Sequence, residues 1–385
     1  MSFGTLALIV LAGLGGPLLG FTTRRFIPVV VGEILAGILV GPAVLGTVHP
    51  AEATTSTLGE VGFAMLMLTV GMHLPLSDRR LAASARAGGL LAAIVCVLAV
   101  PAGLLAASVA GSGHAAIYAV VLASGSAAVL LPAIEETRLG GAEVLTVMAQ
   151  VTLADIVTIL AVPIVLQPGR VGHVALGGVL VAAAAVALFV LARLLAGHEW
   201  VQRARSVSKQ RRWALDLRLS LLVLFVLAWI AQKGGTSILI AGFAAGVMVA
   251  LIGGPKRLST QVRGVADGFF VPLYFVVLGA QLDLAGLVRH PSMLALACAL
   301  AVLNVAIHLL ATLFAHQRPA AALAATAQLG VPAAVASLGL AEHLLSPLVA
   351  TAIVLSALVS LAVCTVGVGM LERAGVAPAP DAQAA

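Results

Sequence analysis

One carboxylate, Asp155, stands in QVTLADIVTI (residues 150–159), a run otherwise made of apolar, amide and hydroxyl side chains. In a low-dielectric setting a carboxyl group is favoured either neutral, holding a proton, or charged beside a cation, and one group holds both poorly. That is the elementary chemistry of exchanging a proton for a monovalent metal ion. Thr152 and Thr158 fall three residues to either side, on the same helical face, where they can add neutral oxygens. The plainer reading is an aspartate hydrogen-bonded to a neighbouring helix for packing alone. A charge at a bilayer centre costs about 2.5–3.5 kcal/mol even on insertion scales, which weighs toward function.

A second constellation is backbone chemistry. VLASGSAAVLLPAIEE (121–136) carries Ser124, Gly125 and Ser126, then Pro132, whose missing amide proton weakens a helix. AQLGVPAAVAS (327–337) carries Gln328, Gly330 and Pro332 about 205 residues later. Gly and Pro are common in membrane helices, so either stretch alone is weak. As a matched pair they predict two interrupted helices, whose broken ends offer carbonyls to a cation and amides to an anion.

The elements that must position these groups follow from hydropathy. Of 385 residues 61% are hydrophobic and 9% charged, and mean hydropathy is +1.15. A soluble domain has roughly a quarter charged residues, so this chain is an integral membrane protein. With about 20 residues needed per crossing, thirteen apolar segments are predicted: 4–21, 26–45, 58–76, 89–110, 115–136, 142–167, 172–197, 213–232, 235–253, 267–287, 292–315, 319–341 and 347–370. Of the 21 Lys and Arg, seventeen fall on the side that follows odd-numbered segments, among them Arg24, Arg25, Arg79 and Arg80, and three fall opposite: Arg170, Lys233 and Arg289. That asymmetry predicts an outside N-terminus and a cytoplasmic C-terminus in a bacterial-type inner membrane. It also accounts for the net charge of +6 without a nucleic-acid partner. The first segment lacks a basic n-region and reads as an anchor rather than a signal peptide. Residues 371–385 read as a short disordered cytoplasmic tail.

AGILVG (36–41) recurs as AGFAAG (241–246), and GMHLPL (71–76) recurs as GAQLDL (279–284). The two matches keep their order and nearly the same offset. That offset spans an odd number of segments, so the copies must be inverted: repeat one about 26–167, repeat two about 235–370, within a transmembrane domain of 1–370. The fold class expected is all-α, with thirteen transmembrane helices and two crossed discontinuous helices.

Other polar residues inside the segments are weaker signals. Asn304 and His308 share a face of the eleventh segment and are possible accessory groups. Glu33 reads as structural or dimer-related, Asp283 as interfacial, and Asp216 and Arg218 as local pairs or snorkelling groups. Cys96, Cys298 and Cys364 read as small buried hydrophobes, no cofactor is expected, and no phosphate-binding GxxxxGK[ST] is present.

The stretches PVVVGEILAGILVGP, LGEVGFAMLMLTVGMHL, GFFVPLYFVVLGAQLDL and TAQLGVPAAVASLGL resemble, in order, the monovalent cation:proton antiporter-2 family. The resemblance covers roughly residues 5–370. It implies a homodimer with separate dimerisation and ion-binding domains, alternating access of the elevator kind, crossed breaks in segments five and twelve, and Asp155 as the ion-binding carboxylate. Three positions depart from the family pattern. Ala154 stands where a polar partner of the aspartate is usual, Asn304 where many members have Lys, and Gln328-Leu329-Gly330-Val331 where Gln-Arg-Gly-Glu is usual. The expected function is electroneutral exchange of Na⁺ or K⁺ for protons through one carboxylate, with Thr152, Ser124 and Ser126 as further oxygens. A proton-coupled exporter of an organic ion on the same fold is the alternative. An intramembrane aspartyl protease using Asp155 and Asp283 is a remote one, since neither residue has a GxGD context.

Overall fold

The computed structural model describes residues 1–22, 28–72, 79–211, 213–252, 256–315 and 317–374. Arg24, Arg25 and the tail 375–385 therefore lie outside the described residues, as do the side chains of Arg79 and Arg80. Among the described residues every regular element is helical. Eleven helices among the described residues are long and apolar enough to cross a membrane. The second and ninth predicted segments are shorter apolar helices, Val29–Val40 and Ile238–Ile252, which at 1.5 Å per residue reach only about 18 and 22 Å.

Several boundaries differ from expectation for local reasons. The third helix begins at Ala53 and the fourth at Arg79, because Thr, Ser and Arg at a helix end are tolerated where hydropathy alone stops. The basic stretch after the seventh segment folds as a helix, Glu199–Arg211, in which Arg203 pairs with Glu199 one turn away at 3.0 Å. Asp216 pairs with Arg205 of that helix at 3.4 Å rather than with Arg218. The tenth segment is entered through a π turn, Ala266–Phe270, before Val271–Ala280.

The chain forms two compact units, one of Met1–Ser56, Asp78–Leu166 and Phe275–Ala385, the other of Thr57–Ser77 and Gln167–Tyr274. Each contains one crossing made by the repeated glycines. In the first unit the AGILVG helix lies against Val276–Ala280: a Cβ on Gly41 would sit 2.7 Å from the Cα of Ala280, and one on Gly279 3.1 Å from the Cα of Gly37. In the second unit the AGFAAG helix lies against the third: a Cβ on Gly246 would sit 2.8 Å from the Cα of Gly71, and one on Gly242 2.7 Å from the Ala64 carbonyl. The copy of each motif thus meets the copy of the other, as an inverted repeat requires.

Asp283 caps a short helix, Leu284–Arg289, accepting the Gly286 N–H at 2.7 Å, while its own N–H donates to Thr351 Oγ1 at 2.9 Å. Its carboxylate is committed to backbone, so the protease reading loses its second acid. Asp283→Ala is expected to lower stability by about 1 kcal/mol, the usual value of an N-cap, measured as a lower melting temperature in detergent.

Candidate functional site: a carboxylate beside two broken helices

The first unit carries both interruptions. Ala115–Ala123 ends at Ser124-Gly125-Ser126 and a new helix, Ala127–Thr137, begins. Pro319–Ala325 ends at Thr326, and Gly330–Ala341 begins after Leu329. The breaks fall at the small and hydroxyl residues, not at the prolines. Pro132 lies inside the second half-helix, and Pro332 lies in the first turn of its helix, where a missing N–H leaves no bond unmade.

Local chemistry explains each stop. The Ser124 hydroxyl donates to the Val121 carbonyl at 2.7 Å, and the Thr326 hydroxyl donates to the Leu323 carbonyl at 2.7 Å, in each case competing with the helical ladder. Gly125 is required by its neighbour: a Cβ there would lie 2.8 Å from the Val151 carbonyl of the Asp155 helix, Ala142–Leu166.

Asp155 is 1% exposed. Its carboxylate accepts a backbone hydrogen bond from Ala127, the first residue of the second half-helix, so the acid faces the positive end of a helix dipole. Its Oδ1 has no hydrogen-bond partner among the described residues, and neither has the buried Oγ1 of Thr152 one turn away. Unpaired buried oxygens of this kind are rare and demand an explanation. Thr158 supplies no such oxygen: its hydroxyl is turned back to the Ala154 carbonyl at 2.7 Å. Ser126 is buried in the break itself.

Several carbonyls at the broken helix ends accept side-chain hydrogen bonds. Gln328 Nε2 donates toward the Leu122 carbonyl at 3.2 Å, the Ser124 carbonyl at 3.5 Å and Asn304 Oδ1 at 3.1 Å. Asn304 Nδ2 in turn donates to the Thr326 carbonyl at 3.0 Å. His308 Nδ1 sits 2.8 Å from the Asn304 carbonyl, a local helical contact. Ser360, which sequence reasoning missed, holds the second break from the last helix, accepting the Gln328 N–H at 3.2 Å. Its only sequence signal was a hydroxyl four residues after Ser356 in an apolar run. Glu33 is buried in its helix.

A polytopic helical protein with two interrupted, cross-linked helices and a buried acid at one break belongs by construction with the inverted-repeat transporters. The chain belongs to the sodium/hydrogen exchanger family: the family's transmembrane description matches residues 6–373. Its fold is that of the sodium proton antiporter MjNhaP1 from Methanocaldococcus jannaschii, with a TM-score of 0.66 over 96% of this chain and 97% of that one, at 16% identity. It is 25% identical over 300 residues to the Na⁺/H⁺-K⁺ antiporter GerN of Bacillus cereus, covering 74% of this chain and 73% of GerN. To YjbQ of Bacillus subtilis it is 24% identical over 312 residues, 76% of this chain but only 50% of YjbQ. The glutathione-regulated potassium-efflux protein KefC of Klebsiella pneumoniae is 26% identical over 271 residues, 68% of this chain and 42% of KefC. The chain thus spans about half the length of some curated relatives.

Proposed function

We infer that this chain exchanges a monovalent cation, Na⁺ or K⁺, for protons through Asp155. The observation that carries the reading is a nine-tenths-buried carboxylate in a membrane-spanning helix with one oxygen unpaired, beside an unpaired Thr152 hydroxyl and at the amide end of a broken helix. A neutral carboxyl group and a cation-paired carboxylate are the two states that such a site tolerates. The family and the named activities of GerN and KefC agree with it.

With Ala154 uncharged next to it in sequence and Asn304 uncharged in the eleventh segment, Asp155 is the group whose charge changes with the cargo. One proton against one monovalent cation moves no net charge, so the exchange is electroneutral. The working unit is a homodimer in a plasma membrane, with the N-terminus outside and repeats of about 26–167 and 235–370. Thr152, Ser124 and Ser126 complete the oxygen set, Ser124 through its lone pairs because its proton is engaged.

The test is proteoliposomes holding the full chain and a pH-reporting dye, given Na⁺, K⁺ and Li⁺ in turn. Cation-dependent proton movement is expected, at a rate that an imposed membrane potential leaves unchanged. Clear acceleration by voltage removes the one-for-one stoichiometry. Silence toward every monovalent cation at every pH removes the cation reading and favours an organic substrate.

A further inference from the structure

The least anticipated feature of the crossing is its pair of side-chain amides. We propose that Gln328 and Asn304 are positioning residues for the exchange at Asp155, acting as a neutral clasp across both breaks. The proposal rests on the exchange reading for its role and on geometry alone for its existence.

A helix ends in unsatisfied carbonyls and carries about half a negative charge there. Inside a membrane no solvent relieves either. Here two such ends face one another, that of Ala115–Ala123 and that of Pro319–Ala325. Gln328 donates to the first and Asn304 to the second, and the two amides are joined to each other at 3.1 Å. Both side chains are 1% exposed. Their orientation is determined by their neighbours: turning the Gln328 amide over would set its oxygen against the carbonyls of Leu122 and Ser124.

The consequence for Asp155 runs through six residues of chain. Gln328 holds the Leu122 carbonyl, Gly125 rests on Val151 of the Asp155 helix, and Ala127 presents its N–H to the carboxylate. A loosened clasp lets that turn shift and withdraws the donor that orients the acid. The clasp also donates to the Leu122 and Thr326 carbonyls, leaving Asp155 and the hydroxyl oxygens around it as the groups nearest the break without such a bond.

Two substitutions separate this role from packing. Gln328→Met keeps the length of the side chain and removes its donors. Gln328→Glu keeps the shape and donates only when protonated. In proteoliposomes Gln328→Met is expected to need about tenfold more cation for half-maximal proton movement, the value of one well-placed buried hydrogen bond, with the maximal rate little changed. Gln328→Glu should fall below Gln328→Met at alkaline pH, where its carboxylate faces two carbonyl ends, and return toward wild type as pH falls. The other buried titratable groups on the surrounding helices, Asp155, His308, Tyr118 and Cys364, are the same in both variants, so the difference between them reports residue 328. Equal half-saturation in Gln328→Met and wild type, or identical pH profiles for the two variants, overturns the proposal.

Melting in detergent tests the clasp without transport. Asn304→Leu and Gln328→Met each break the shared bond and one carbonyl bond of their own, so the double variant should lose less than the sum of the two singles. Additive losses overturn the clasp even if wild type exchanges normally. Coupled losses in a protein that moves no protons sustain the clasp and sink the exchange reading instead.

Discussion

Asp155→Asn is expected to abolish cation-dependent proton movement in proteoliposomes while leaving a folded, monodisperse protein. The substitution is close to isosteric, and asparagine keeps an oxygen that can accept the Ala127 N–H. What it cannot do is change charge. A permanently neutral group offers no proton to release and no negative charge to offset the desolvation of a cation. The effect should therefore appear as a loss of rate at every cation concentration and every pH, not as a shifted optimum. Asp155→Glu is the informative companion. It keeps the chemistry but extends the acid by one methylene toward a break whose Gly125 already leaves no room for a Cβ, so partial activity with weaker cation affinity is expected. Wild-type exchange in Asp155→Asn would remove Asp155 from the site, whatever the fold.

The largest stability effects are expected at the repeated glycines. Gly246→Ala places a methyl group 2.8 Å from the Cα of Gly71, and Gly37→Ala places one 2.9 Å from the Cα of Val276. In both cases the obstacle is backbone of a neighbouring helix, which cannot rotate aside like a side chain. Forcing the helices apart costs about 1–3 kcal/mol, the range for overpacked cores, and it also loosens close contact along the crossing. Both variants should melt several degrees below wild type in detergent and yield less monodisperse protein. Gly178→Ala is the control: the added methyl group would meet only Ile240 Cδ1, at 3.7 Å. Relief of glycine's backbone entropy should there stabilise the helix by about 0.5–1 kcal/mol. If Gly246→Ala melts with Gly178→Ala, the close crossing is not what holds that unit together.

Much of this protein was legible before any coordinates because its signals are short-range. Hydropathy decides which solvent each segment meets, so the crossing helices stand within a few residues of their predicted places, apart from extensions such as Ala53 and Arg79 at polar ends. A lone acid in apolar surroundings is visible as Asp155 in any window. Paired Gly motifs at one offset exposed the repeat, since a glycine needed for close approach leaves a mark in sequence whatever partner it meets. The positions of both interruptions were legible for the same reason, although Pro132 misled: proline disturbs a ladder it sits in, but Ser124 and Gly125 end it.

What only the tertiary structure decided is which polar group meets which. The Gln328 amide and the Leu122 carbonyl are 206 residues apart, and no local pattern couples them. The broken helix ends were legible in sequence, but not that Gln328 and Asn304 would each donate to one of their carbonyls. Thr158, a candidate by its spacing, donates its hydroxyl proton within its own helix. Asn304 stood out as a departure from the family pattern and is half of a hydrogen-bonded pair. The physical reason is common to all of them. A buried donor or acceptor in a membrane must find a partner, but the partner is chosen by helix packing, and helix packing is set by contacts hundreds of residues away.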